Sequence, residues 1–232
     1  MRTVAAVLAG GTGRRFGAEV PKQLLAVGGA TVIEHSVAAF DDAACVDEVF
    51  VVVPAGLTRQ VASLLAGGGF RKVSRVIEGG PTRPDSAQQA IWAVSAGDAD
   101  AECNLLLHDA ARPLVGQQVI AACVAALREH QAVGVTIPSS DTVVTVEDGM
   151  ITQMPSRDTI HRCQTPQGFR LSVIRRAYEL ASADPGFTAT DDCGVVLRYL
   201  PGVPVAVVPG SSRNIKITYP GDIEIAEILL KN

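Results

Sequence analysis

TVAAVLAGGTGRRFG, residues 3–17, runs from a short apolar stretch straight into a glycine-rich turn that carries two adjacent arginines. The stretch 3–9 reads as a buried strand, because it is apolar without alternation. A tight turn uses glycine for its positive φ angles but has no use for Arg14 and Arg15. Phosphate binding uses both features, since exposed N–H groups wrap an anion and guanidinium forks match its oxygens. The turn lacks the GK[ST] ending of a Walker A loop, and Phe16 stands where GxGxxG requires its third glycine. What it fits is a triphosphate at the carboxyl end of the first strand of an open α/β sheet. An ordinary βα turn with surface arginines is the competing reading.

The rest of the chain keeps the rhythm that this beginning sets. Strands are expected at 46–54, 72–79, 104–109 and 132–138, separated by helices at 31–40, 57–66, 83–96 and 117–130. Strands apolar on both faces and alternating with helices predict an α/β fold with a mostly parallel sheet covered on both sides. At 139 the rhythm breaks. DTVVTVEDGMITQMP (141–155) sets two β-like runs around Asp148-Gly149, a strong hairpin signal. Such a hairpin projects from the body as an arm over about 139–156, and a second copy of the chain is the simplest partner for its edge. Helices at 171–183 and 190–200, strands at 203–208 and 214–218, and a helix at 221–231 complete one domain over 1–232, with SRDTIHRCQTPQGF (156–169) read as a loop.

Composition narrows the class. The 232 residues are 47% apolar and 19% charged, with a formal net charge of −4, which suits a folded core and gives no basic surface for nucleic acid. The five cysteines are odd in number and contain no CxxC pair, so neither a disulfide framework nor a zinc site is expected, and a reduced cytoplasm fits. The first residues lack the apolar length of a signal peptide, and no run approaches the length of a membrane span.

Further polar residues fall where strands run out. Asp109 ends LLLHD, at the rim where open α/β sheets bind ligands, and a carboxylate near phosphates is a natural Mg²⁺ ligand. Read alone, it could equally be a helix cap partnered by Arg112, which three residues on could otherwise hold a second phosphate. His108 reads as packing. Lys22, after Pro21, could meet the same phosphates as a mobile point charge. GGPTRPDS (79–86) is a second Gly-Gly turn feeding a helix, with Arg83 and Ser86 as polar readers of a base or ribose. Arg157, Arg162 and Thr165 lie in the loop 156–169, and Lys216 on NIKIT. Each of these cations alone is more simply a solvated charge. Together they recur at strand ends, as a polyphosphate site requires.

LAGGTGRRFG…PKQLL, HDAARP, QTPQGF and NIKIT, in this order and at these separations, resemble the cytidylyltransferases that act on polyol phosphates, over essentially the whole chain. The resemblance implies a Rossmann-like sheet, a homodimer whose β-arms embrace, and CTP with Mg²⁺. CMP would pass to the sugar phosphate and pyrophosphate would leave. It implies that Leu8, Ala9, Gly10, Gly11, Thr12 and Gly13 wrap the triphosphate and that Arg15 and Lys22 stabilise charge on the transferring and leaving phosphates. Gly80 and Ser86 would contact cytosine, Asp109 would hold Mg²⁺, and Lys216 would bridge the nucleotide and substrate phosphates. Arg112, Thr142, Arg157 and Thr165 match substrate-side positions, with Arg157 supplied by the second subunit.

Two acceptors share these motifs, 2-C-methyl-D-erythritol 4-phosphate and ribitol 5-phosphate. LAGG departs from the Pro-Ala-Ala-Gly form usual for the first and leans to the second. HDAARP and QTPQGF, through Ala111 and Gly168, favour the methylerythritol acceptor, which is the expectation carried forward. Pro81 replaces a commonly acidic residue, so a side-chain contact to the base is lost there. A nicotinamide oxidoreductase is disfavoured by the missing third glycine and the paired arginines. A non-catalytic nucleotide sensor would explain the loop but not Asp109, Lys22 and Lys216 together.

Overall fold

The computed structural model of the chain describes residues 1–10, 21–96 and 102–231. Gly11, Thr12, Gly13 and Arg15 of the first loop therefore lie outside the described residues. Inside the seven-stranded sheet lies β1 (Thr3–Leu8), every residue of which is buried. With β2 (Ala26–Val27) and β3 (Ala30–Thr31) forming a small separate ribbon, β1 pairs in parallel with β4 (Glu48–Val53), and β4 with β5 (Val73–Glu78). On its other side β1 pairs in parallel with β6 (Asn104–Asp109), whose six residues are also all buried.

Successive residues of β1 feed two cores. Ala5 and Val7 face α1 (Val32–Asp41), α2 (Thr58–Gly67) and α4 (Gln117–Ala126), packing with Ile33, Val37, Val61 and Ile120. Val4, Ala6 and Leu8 face the opposite layer, where Ile91 of α3 (Arg83–Ser95) packs with Ile174 of α5 (Leu171–Ser182) and Val196 of α6 (Asp192–Tyr199). This two-sided burial is why the strands read as continuous apolar runs rather than alternating ones. α1 and α3 each begin with a complete capping box, Thr31 with Glu34 and Thr82 with Asp85, which satisfies orphan N–H groups at both starts.

Past β7 (Ala132–Pro138) the hairpin forms as expected, as β8 (Thr145–Glu147) and β9 (Met150–Gln153). Asp148 and Gly149 between them both take positive φ, 50° and 78°, the signature of a type I′ turn. Every residue of β8 and β9 is exposed, and the pair forms a ribbon of its own.

Two expectations are overturned. Residues 156–169 are not a loop: after a short 3₁₀ turn, β10 (His161–Arg170) runs antiparallel between β6 and β7, well inside the sheet. Its polar sequence hides it, because Gln164, Thr165 and Gln167 are buried through hydrogen bonds rather than apolar contacts. Pro166 sits where the β10–β7 register shifts between Cys163 and Gln167, a place where a missing N–H is tolerated. The second correction concerns NIKIT, which joins no sheet. It runs beside the turn after β6, with the Ile217 N–H donating to the Ala111 carbonyl at 2.8 Å. The sheet instead ends on β11 (Val205–Pro209), parallel to β7, and α7 (Asp222–Lys231) closes the chain. The strand order is β11-β7-β10-β6-β1-β4-β5.

Phe169 fastens β10 in place: it is fully buried and pairs with Leu105 on one side and Ala132 on the other. Phe169→Ala should lower unfolding stability by about 3–5 kcal/mol, as large-to-small core changes do. Urea denaturation followed by far-UV circular dichroism measures this; a loss under about 1 kcal/mol would mean that β10 is not anchored by this ring.

Candidate active site

Leu8 and Asp109 are direct partners at the carboxyl ends of β1 and β6, so the glycine-rich loop and the Asp109 carboxylate leave the sheet side by side. The Ala9 N–H donates to the Val52 carbonyl, and the Ala9 carbonyl accepts from Gln23 Nε2, which fixes the first step of the loop. Gly10 lies against the start of α3 so closely that a Cβ there would stand 2.2 Å from Ser86 Oγ. Gly80 is equally confined, with Asp85 Cβ 2.2 Å from where its own Cβ would be. The two glycine turns thus meet at one helix N-terminus, with Ser86 fully buried between them and donating to the Thr82 carbonyl at 3.0 Å.

Asp109 accepts from two cations. Arg83 Nε donates to one oxygen at 2.8 Å, and Lys216 Nζ to the other at 2.7 Å. Burial by itself would push the Asp109 carboxyl up, but Arg83 and Lys216 hold it well below the usual carboxylate range. Arg83 does not stand open as a reader of a base. Its Nη2 donates to Asp192 at 2.9 Å, so the guanidinium spans two carboxylates and is committed on both edges.

Behind Asp109 a chain of hydrogen bonds sets the turn 109–112. The Asp109 N–H donates to Thr165 Oγ1, whose hydroxyl meets His108 Nδ1 at 3.0 Å, and His108 Nε2 meets the Arg112 carbonyl at 3.1 Å. A carbonyl can only accept, so the Nε2 carries the proton and Nδ1 accepts from Thr165. Burial pushes His108 down to about 4, keeping it neutral. His108 is therefore a packing residue, as its sequence context indicated, and additionally a splint for the turn.

Arg112 donates to the carbonyls of Asn214 and Cys163, at 2.8 and 3.2 Å. Asn214, itself fully buried, donates to the Thr165 carbonyl at 2.8 Å. Through these bonds the segment 214–218 is stitched to the turn, which brings Lys216 to Asp109. Lys22 Nζ reaches the Ile217 carbonyl at 3.0 Å, so it joins the same group. Four cations and two carboxylates converge here. Arg83 Nη1 and Arg112 Nε are buried donors with no protein acceptor among the described residues, a disposition that suits incoming anionic oxygens.

Of the residues singled out from sequence, the structure gathers Leu8, Ala9, Gly10, Lys22, Gly80, Arg83, Ser86, Asp109, Arg112, Thr165 and Lys216. Thr142 and Arg157 are not brought there: they flank the arm, are exposed, and their side chains make no hydrogen bond to this group. Sequence reasoning missed Asp192, Gln167 and Asn214. A buried carboxylate at a helix start, or an amide within a strand, leaves no periodic signal.

An open α/β sheet that gathers the start of a glycine-rich segment, one carboxylate and several cations at one rim suits nucleotidyl transfer. Known proteins agree. Residues 3–232 match the family described as 2-C-methyl-D-erythritol 4-phosphate cytidylyltransferase. The protein of that name from Thermobifida fusca is 54% identical over 99% of this chain and 94% of its own length. A bifunctional ribulose 5-phosphate reductase/CDP-ribitol pyrophosphorylase from Haemophilus influenzae is 37% identical over 100% of this chain but 48% of its own. The crystal structure of 4-diphosphocytidyl-2C-methyl-D-erythritol synthase from Anaerococcus prevotii superposes with a TM-score of 0.86 at 28% identity, covering 100% of this chain and 96% of that one. The chain belongs to the 2-C-methyl-D-erythritol 4-phosphate cytidylyltransferase family, and it is an enzyme of the CTP-dependent cytidylyltransferase class.

The neutral burial of His108 has a pH signature. Its folded value, about 4, lies below the ordinary 6.5, so the unfolded chain binds the extra proton between those limits. Stability on this account is complete above pH 6.5 and falls as the pH drops toward 4. Between pH 7.5 and 5 the loss should be about 2 kcal/mol. Urea unfolding at the two pH values should show it in the wild type and less of it in His108→Asn. Equal pH dependence in both would remove His108 as the source.

Proposed function

We propose that this chain transfers CMP from CTP to 2-C-methyl-D-erythritol 4-phosphate, in isoprenoid precursor synthesis, at the rim between β1, β6 and α3. The observation that carries the reading is the Asp109 group: a carboxylate held ionised by Arg83 and Lys216, beside the Gly10–Ser86 contact, with Lys22 and Arg112 at its edge. The acceptor is favoured by the 54% identical relative, whereas the ribitol-linked relative stands at 37%.

In the reaction an oxygen of the acceptor phosphate forms a bond to the α-phosphorus of CTP. The bond from that phosphorus to the bridging oxygen breaks, and pyrophosphate leaves with the electron pair. The nucleophile is anionic at neutral pH, so no base has to remove a proton. His108 is not a candidate for one in any case, because both of its nitrogens are engaged. The residues have to bring anions together and stabilise the charge that grows between them. Arg15 and Lys22 are assigned to the transferring and leaving phosphates, and Leu8 to Gly13 to the triphosphate. Gly80 and Ser86 face the base, and Lys216 bridges the two substrates. Arg112 is assigned to the acceptor phosphate through its Nε, which has no protein acceptor among the described residues, and Thr165, whose hydroxyl proton goes to His108, sets the turn that carries Arg112.

A divalent cation fits Asp109. No cluster of three or more His, Cys, Asp or Glu side chains exists among the described residues, so the protein by itself offers no closed metal cage. Mg²⁺ prefers one or two carboxylates completed by phosphate oxygens and water, which is the donor set that Asp109 and a bound triphosphate would present. Such an ion neutralises charge on the phosphate oxygens.

The arm supports a homodimer. Val146, Met150, Ile151 and Met154 are between 57% and 71% exposed on a ribbon that buries none of them. Two arms packed together would cover these side chains and carry Thr142 and the partner subunit's Arg157 toward the acceptor side of the site. The five free cysteines suit a reducing cytoplasm, and among the described residues no helix is long and apolar enough to cross a membrane.

Pyrophosphate release with CTP and Mg²⁺ should be rapid with methylerythritol 4-phosphate and negligible with ribitol 5-phosphate. The reverse preference would overturn the acceptor. Lys22→Ala and Arg15→Ala should each lose about a hundredfold or more in kcat while staying folded; near-normal turnover removes that residue from the mechanism. Met150→Asp with Ile151→Asp should turn a dimer into a monomer in sedimentation and abolish turnover, and an active monomer would refute the role of the arm.

A further inference from the structure

Asp192 is a buried carboxylate with no part in the transfer chemistry. It is the first residue of α6 and is 0% exposed. One oxygen accepts from Tyr178 Oη at 2.7 Å and the other from Arg83 Nη2 at 2.9 Å. Its own N–H and that of Cys193 both donate to Gln167 Oε1 on β10, at 2.9 and 3.0 Å. The residue is thus clamped by backbone and side chain alike. Shut away from solvent, it can touch neither a metal ion nor a nucleotide, and its one ion-pair partner among the described residues is Arg83. An unpaired carboxylate in such a place is costly, so whatever it does it does through Arg83.

The two cations on Asp109 are not equally held. Arg83 is pinned at its far edge by Asp192, on a helix start closed by a capping box. Lys216 hangs from a segment that belongs to no sheet, its side chain is 37% exposed against 21% for Arg83, and its ammonium pairs with Asp109. A cation arriving at Asp109 competes with both of them for the charge of the carboxylate. We propose that Asp192 is a positioning residue that pins Arg83, so that Lys216 is the cation that yields Asp109 to the metal and becomes free to turn to the phosphates. Without Asp192 the Arg83 guanidinium keeps Asp109 alone and gains a free edge. It would then close on both oxygens of Asp109, which disfavours a second cation there by charge and by occupancy.

This inference rests on the reading of Asp109 as the metal ligand, and the test separates the two. Mn²⁺ binding is followed by water-proton relaxation in the presence of CTP, for wild type, Asp109→Asn, Asp192→Asn and Tyr178→Phe, with melting temperatures recorded in parallel. Asp192→Asn should weaken Mn²⁺ binding at least about tenfold. Tyr178→Phe keeps the charge and should stay within about twofold even where it lowers the melting temperature. Unchanged or tighter Mn²⁺ binding in folded Asp192→Asn overturns the proposal and leaves the metal reading intact. Wild-type binding that Asp109→Asn does not weaken overturns both. If Asp192→Asn does not fold, Arg83→Met is compared with Arg83→Met/Asp192→Asn, in which neither buried charge remains. Equal Mn²⁺ affinity is expected if Asp192 acts only through Arg83, and a further loss refutes that route.

Discussion

A carboxylate at the end of a fully buried strand imposes a demand that the surrounding chain has to meet. Asp109 is 7% exposed, and burial alone would drive it toward its neutral form. Arg83 and Lys216 reverse that preference, and each must in turn be delivered from far away in sequence. Arg83 comes on the first turn of α3. Lys216 comes on a segment that is bonded to the turn after β6 through Asn214 and Ile217. The architecture around the rim brings two cations to one buried anion.

The antiparallel strand β10 is the part that makes this delivery possible. A parallel strand in its place would be apolar on both faces, as β1 and β6 are. β10 instead carries buried polar side chains that each reach to a different element. Thr165 meets Asp109 and His108, Gln164 meets Ser211, and Gln167 meets the start of α6. Buried polar side chains that find partners on separate elements favour one arrangement, because an alternative would leave them unpaired. These bonds hold the turn 109–112 and the start of α6 in register, and a site that works by fixed charge requires such placement.

The arm follows the opposite logic. Its residues bury nothing within the chain, and its turn is defined by local backbone chemistry at Asp148-Gly149. Body and arm therefore divide the candidate residues into a preassembled group and an exposed pair, Thr142 and Arg157. A site completed across an interface couples its competence to association, since the same contacts that hide the apolar ribbon would bring the last groups in.

Local signals carried much of this fold. The apolar runs at 3–9 and 104–109, the helical spacing of 31–40 and the Asp148-Gly149 turn each owe their structure to neighbours within a few residues, and each formed where the sequence placed it. The order LAGGTGRRFG, HDAARP, QTPQGF, NIKIT was likewise enough to identify the family, because residue types at strand ends are set by ligand chemistry rather than by packing. What only the tertiary structure decided lies between distant segments. HRCQTPQGF is a strand because its amides and hydroxyl find partners on other elements, and NIKIT is not one because it bonds to the turn at Ala111 rather than to an edge. Arg83 faces two carboxylates, 26 and 109 residues away in the chain, and no pattern along the sequence could show that pairing. Buried charge is a contract between segments that the linear order keeps apart, so its terms become visible only when the chain has folded.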